Sequence, residues 1–310
     1  MRRSPGAKTD GSGRTRVTAT GAAVALLIGG LSFAACGDDD SPGRTDAQPK
    51  ARRAQASPRP SPTPPTAWDR TPESLAAVGD SISRGFDACS LLSDCPEVSW
   101  ATGVDPDIKS LARQLLERPR KQSWNVAKTG AVMADLPAQM ERAAAHDPDM
   151  VTVMAGSNDA CQPSAAEMTP VAEFRTDFEE ALRTLRREQP KTQVYVSSVP
   201  NLKRLWSEGR KDRIRMQVWR LGICQSMLQD PNATGKAAVD RRQQVYDRVV
   251  AYNTVLEEVC AEDELCRYDG GAVFDYRFTG DELSSWDWFH PSKQGQRKLA
   301  ELAYRQITAS

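Results

Sequence analysis

Met150-Val151-Thr152-Val153-Met154-Ala155, followed at once by Gly156-Ser157-Asn158-Asp159, is the stretch that decides the fold. Its apolar residues run on without the in-out alternation of a half-exposed strand, so it reads as a strand covered on both faces. The small and polar residues after it read as a turn. Residues 193–199 (Gln-Val-Tyr-Val-Ser-Ser-Val) repeat the pattern. Residues 74–78 and 124–127 supply two earlier strands, and 272–274 (Ala-Val-Phe) are expected as a short fifth. Helical patterns fill the gaps at 105–117, at 135–146 with Asp135 as N-cap, at 201–229 and 237–263, and at 292–308 after Pro291. Another helix opens at Thr169-Pro170, a cap residue followed by proline at the first helical position, and runs to about 188. Strand alternating with helix implies an α/β fold with a parallel sheet and right-handed crossovers. Functional groups in such sheets gather at the C-terminal ends of the strands. The helical stretch 201–263 is longer than a crossover needs, so part of it is expected to wall the site.

Lys plus Arg and Asp plus Glu both number 41, a formal net charge of zero. That balance gives no basis for nucleic-acid binding, which needs a basic surface. Arg2, Arg3, Lys8, Arg14 and Arg16 precede an apolar stretch at 21–35 that is short of the about 20 residues a spanning helix needs. It ends in Ala34-Ala35 before Cys36, which resembles a bacterial lipobox, although Phe33 stands where Leu is usual. The resemblance implies export, cleavage before Cys36 and a lipid on its thiol, hence a membrane anchor on the outer face. An ordinary secretory signal, or an uncleaved anchor, is the alternative. Residues 37–67 hold seven of the twenty prolines and no Val, Ile, Leu, Met or aromatic residue, and so read as a solvated linker. The folded domain is expected at 68–310, acting as a monomer.

Six further cysteines in an exported domain suggest disulfides, for which fifteen pairings exist. Cys89–Cys95 and Cys260–Cys266 each enclose a short polar loop, and local bridges there leave Cys161 to pair with Cys224. The rival, a zinc site, finds neither a C-x-x-C nor a nearby histidine.

Ala76-Ala77-Val78-Gly79-Asp80-Ser81 places a serine at the exit of the first strand, before an expected helical turn at 82–84 whose N–H groups would favour an oxyanion. Capping of that turn is the plainer role for Ser81. Ser285-Trp286-Asp287-Trp288-Phe289-His290 places an aspartate three residues before one of only two histidines. Asp287 could hold Nδ1–H of His290 and leave Nε2 as a base; the alternative is a turn capped by Asp287. The other histidine, His146, reads as a helix-end residue. Gly130, after the second strand, could offer an N–H, and Asn158 a side-chain amide, to a developing oxyanion; each is equally at home in a turn. Trp100, Trp206, Trp219, Trp286 and Trp288 belong to the core or wall an apolar pocket.

Taken in order, the motifs around Ser81, Gly130, Asn158 and His290 resemble those of the GDSL/SGNH hydrolases over roughly 72–308, with Ile82 where the name implies Leu. Val98-Ser99-Trp100, Asn125-Val126-Ala127, Cys161, Val199-Pro200-Asn201 and the Trp-Asp-Trp-Phe-His-Pro-Ser run resemble the phospholipase B-like branch. The broader resemblance implies a three-layer α/β/α sandwich and metal-free, cofactor-free ester hydrolysis. Ser81 is the implied nucleophile, Asp287 and His290 complete the triad, and Ser81, Gly130 and Asn158 form the oxyanion hole. Lipid or short-chain acyl esters are the expected substrates. Alternatives are a carbohydrate O-deacetylase, an acyltransferase, and a tethered binding protein without turnover.

Overall fold

A computed structural model describes residues 68–309. The signal segment 1–36 with Cys36, and the linker 37–67, lie outside the described residues. Five strands form one parallel sheet in the order β2-β1-β3-β4-β5. They are β1 Leu75–Gly79, β2 Ser123–Asn125, β3 Met150–Met154, β4 Gln193–Val196 and β5 Cys266–Tyr268. The helices are α1 Leu111–Leu115, α2 Pro119–Gln122, α3 Leu136–Ala144, α4 Ser157–Ala160, α5 Val171–Glu188 and α6 Leu202–Gly209. They continue as α7 Arg213–Trp219, α8 Gln225–Leu228, α9 Lys236–Ala261, α10 Ala272–Asp275 and α11 Lys293–Thr308.

Successive strand residues point to opposite faces, and both faces are buried. Ala76, Val78, Val151, Val153, Val194 and Val196 pack with residues of α3, α5 and α9. Leu75, Ala77, Met150, Met154 and Tyr195 pack with α1 and α11. This three-layer arrangement explains the near-continuous apolar strands. The chain leaves β1 for β2 on one side and returns to β3 on the other, so the order reverses between β1 and β3. A crevice opens at such a reversal, outside the C-terminal strand ends. Ser81 follows β1, and Asn158 follows β3.

Three disulfides join Cys89 to Cys95, Cys161 to Cys224 and Cys260 to Cys266. Among the described residues no helix is long and apolar enough to cross a membrane.

The expected fifth strand is misplaced. Residues 272–274 lie in α10, because the buried Asp269 side chain accepts from Gly271 N (2.8 Å) and Val273 N (3.1 Å) and curls the chain into a turn. The strand is Cys266–Tyr268, an edge paired with β4 alone. The expected helix at 105–117 forms only at Leu111–Leu115, where Ser110 Oγ caps Arg113 N (3.2 Å). Pro170, rather than Thr169, occupies the N-cap of α5. Asp135 flanks α3, but its side chain caps the preceding turn through Val132 N (3.0 Å).

Candidate active site

Gly79 ends β1 at φ +137°, where a Cβ would lie 2.1 Å from Met154 O. Only glycine permits this approach to β3. Its N–H donates to Gln139 Oε1 (2.7 Å), and its carbonyl accepts from Gln139 Nε2 (3.0 Å). Asp80 N donates to Met154 O (3.2 Å), and Asp80 Oδ1 accepts from Ile82 N (2.9 Å). After Ser81 the chain closes a single helical turn, with Arg84 N donating to Asp80 O (3.1 Å) and Gly85 N to Ile82 O (3.1 Å), and does not continue as a helix. What fixes its backbone is Gln296 of α11, fully buried, which donates from Nε2 to Ile82 O (2.9 Å) and accepts from Trp100 N (2.9 Å).

The partner loop runs from Leu283 to Pro291, which pair as an antiparallel bridge at its neck. Trp288 sits at φ +50°, a tight reversal between the aspartate and the histidine. Asp287 Oδ1 accepts from Phe289 N (2.8 Å) and His290 N (3.0 Å), so its carboxylate is locked within its own loop. Its Oδ2 meets His290 Nδ1 at 2.5 Å. His290 Nε2 lies 2.9 Å from Ser81 Oγ, across 209 residues of sequence. From α7, Trp219 Nε1 donates to Asp287 O (3.1 Å), which fixes the loop from outside. The ring of His290 packs at centroid distances of 4.9 Å from Phe86 and 5.1 Å from Phe289.

Burial works against the charge of Asp287, but hydrogen bonding and charge attraction from His290, with the two backbone donors, outweigh it and hold the carboxyl below its ordinary range. A carboxylate kept ionised beside Nδ1 selects the tautomer with Nε2 unprotonated and facing Ser81. Asp80, next to the serine, is pushed up to about 7 by burial. Asp159, whose carboxylate accepts from Met133 N (3.0 and 3.2 Å), is raised to about 6 by burial.

Asn158 Nδ2 donates to Ala131 O (2.9 Å), which ties α4 to the turn carrying Gly130 and leaves the second amide hydrogen free. Gly130 has φ +81° and open space where a Cβ would stand. Among the described residues, neither Ser81 N nor Gly130 N has a hydrogen-bond acceptor. Ser81, Ser157 and Asn158 form the polar end of a narrow cleft whose walls are Leu202, Leu205, Phe278, Leu283, Phe289 and Leu299, with Ile82, Pro200 and Pro291. A second depression shares Leu202, Leu205, Phe278 and Leu283 and continues to Arg204 and Tyr276. Gly130 does not line the cleft.

None of the five tryptophans lines the cleft. Trp100 and Trp219 are core, Trp206 stacks under Arg242 and Arg210, Trp288 faces Arg215, and Trp286 is exposed. His146 stacks on Trp124 (4.8 Å, 8°), on the β2 side and away from Ser81. The cleft wall, Gln296 and a further acid, Asp87, carry no motif that local sequence would reveal. One cluster of potential metal donors is Asp87, Asp287 and His290, whose imidazole nitrogens already face Asp287 and Ser81. The other is Cys89, Cys95 and Glu97, whose two sulfurs are joined to each other.

The model of the GDSL-like lipase/acylhydrolase family matches residues 77–298, from within β1 to within α11. The chain belongs to this family. No curated protein matches it. Solved structures match at low identity and low TM-score. An extracellular lipase from Streptomyces rimosus is 16% identical over 74% of this chain and 99% of that one, with a TM-score of 0.43. A phospholipase A1 from Streptomyces albidoflavus NA297 is 17% identical over 77% and 100%, with a TM-score of 0.44. A family two carbohydrate esterase from Clostridium thermocellum, in complex with cellohexaose, is 15% identical over 82% and 66%, with a TM-score of 0.44.

Proposed function

We propose that the chain is a serine-dependent carboxylic ester hydrolase acting on acyl esters with an apolar acyl chain. The unbroken contact line from Ser81 Oγ through both nitrogens of His290 to Asp287 carries this reading. His290 Nε2 takes the proton of Ser81 as Oγ attacks the ester carbonyl. Asp287 holds the imidazole and stabilises the imidazolium that forms. The oxyanion is met by the Ser81 and Gly130 N–H groups and the Asn158 amide. The imidazolium then protonates the alkoxide leaving group. Water, deprotonated by the same base, attacks the acyl-serine, and His290 returns the proton to Ser81 as the acid leaves.

The apolar walls beyond Ser81 favour an acyl chain over a bare acetyl group, since each methylene buried there is worth about 0.8 kcal/mol. Three disulfides support an oxidising compartment. With the lipobox-like end at Cys36, they favour an exported, lipid-anchored protein whose substrates are membrane or extracellular esters. A chain-length series of p-nitrophenyl esters tests this reading. Specificity should rise from acetate to longer acyl chains and vanish in Ser81→Ala. Cleavage of acetate alone would favour a deacetylase, and wild-type turnover by Ser81→Ala would refute the assignment.

A further inference from the structure

Behind the Ser81–His290–Asp287 line stands a second acid that the mechanism does not use. Asp87 is 2% exposed, and one of its carboxylate oxygens lies within 4.8 Å of ligand atoms of both Asp287 and His290. Its placement is built from several sides. The residue sits at φ +54°, in the left-handed region that aspartate enters more readily than most residues. Its N–H donates to Ser93 O (3.0 Å) within the loop closed by Cys89–Cys95. Its carbonyl accepts from Ser284 Oγ (2.7 Å), at the neck of the histidine loop. Its Oδ1 accepts from Leu92 N. Two segments almost 200 residues apart are thus fastened together where the two carboxyls meet.

We propose that Asp87 is a positioning residue of this site, a second carboxyl that backs Asp287 and adds its charge to the support of the His290 imidazolium. This rests on the esterase reading of the site. Two adjacent carboxyls do not ionise together cheaply. Burial first, then the charge of Asp287, raises Asp87 above the ordinary aspartate range, whereas Asp287 is held below it. The proton of the pair therefore resides on Asp87 in acid, where it hydrogen-bonds to Asp287. As pH rises Asp87 ionises, and the imidazolium formed during attack then faces two negative charges. Other charges near the cluster are Asp80 in the turn before Ser81, the Arg84–Asp94 pair flanking the Asp87 loop (3.0 Å), and Arg215 over the Trp288 ring (5.7 Å). All of these are common to the wild type and a variant at position 87, so their difference isolates Asp87.

Asp87→Asn keeps the shape, an acceptor for Leu92 N and a donor toward Asp287, but not the charge. The ratio of wild-type to Asp87→Asn kcat on a p-nitrophenyl ester should be about tenfold at pH 8, with KM within twofold. The ratio should fall toward one as the pH drops into the ordinary aspartate range, where both side chains are neutral. A purely structural role would give a ratio independent of pH. A readout without turnover accompanies it: the downfield Nδ1–H proton signal of His290, followed by NMR in the full-length chain. With only two histidines, assignment is direct. The wild-type signal should step as Asp87 ionises, and the step should be absent in Asp87→Asn. A pH-independent kcat ratio, or a step that survives in Asp87→Asn, overturns the proposal. If the protein turned over no ester, the esterase reading would fail while the NMR arm still decided the role of Asp87.

Discussion

Removing the Cys161–Cys224 bridge should cost more stability than removing either short bridge, and the structure sets the size of the difference. Cys161 ends α4, which carries Asn158, and Cys224 opens α8 beside the wall of the site. The bond closes a loop of sequence separation 63, whereas Cys260–Cys266 closes one of 6. In the chain-entropy description a cross-link destabilises the unfolded state in proportion to the logarithm of loop length. It gives about 4 kcal/mol for the longer loop and about 2 kcal/mol for the shorter at 25 °C. The perturbation is the double variant Cys161→Ala/Cys224→Ala, compared with Cys260→Ala/Cys266→Ala so that neither leaves one cysteine of a broken bridge behind. Equilibrium urea unfolding followed by tryptophan fluorescence measures both. The long-loop variant should lose roughly 2 kcal/mol more than the short-loop variant. Ester turnover by the long-loop variant should persist under folding conditions, because Ser226 Oγ still donates to Ala160 O (2.6 Å) and Asn158 Nδ2 to Ala131 O. Equal losses, or a larger loss for Cys260–Cys266, would refute the entropic reasoning.

Asn158→Ala should lower kcat by about a hundredfold or more through loss of one oxyanion donor, with KM little changed in steady-state ester hydrolysis. Gly79→Ala should destabilise the fold by about 3 kcal/mol or more, since its Cβ meets Met154 O at 2.1 Å in a backbone conformation suited to glycine; thermal unfolding reads this. Asp80 binds its proton more tightly folded than unfolded, so its own contribution to stability is greatest at acid pH and is lost as the pH rises from 3.8 to about 7. Asp80→Asn should remove up to about 4 kcal/mol of that decline in urea titrations at successive pH values. Leu205→Trp should fill the cleft beside Leu202 and Phe278 and shift the chain-length preference toward short acyl esters, read as kcat/KM across the p-nitrophenyl series.

What could be read from sequence was local. β1, β3 and β4 are short runs buried on both faces, and such burial leaves the continuous apolar signature seen at 150–155 and 193–199. The serine and histidine segments could be read because each function sits within a few consecutive residues, Asp287 and His290 being three apart. The fifth strand failed this test. Cys266-Arg267-Tyr268 is a half-buried edge with one neighbour and no apolar run, while Ala-Val-Phe at 272–274 owes its apolar character to a single helical turn. Gln296, Asp87 and the cleft wall were invisible for another reason. Their meaning lies in contacts across about 200 residues, such as Asp87 O with Ser284 and Ile82 O with Gln296, and no spacing within either segment encodes the partner. Of the tryptophans read as core or pocket wall, Trp100 and Trp219 are core, and the leucines and phenylalanines face the serine.

The most direct test of the central claim is labelling of the purified protein with a fluorophosphonate, read by intact mass and peptide mapping. An activated serine gives a single adduct on Ser81 that is lost in His290→Ala and in Ser81→Ala. An adduct elsewhere, or none on the folded and oxidised protein, would contradict it and favour a binding protein built on a hydrolase fold.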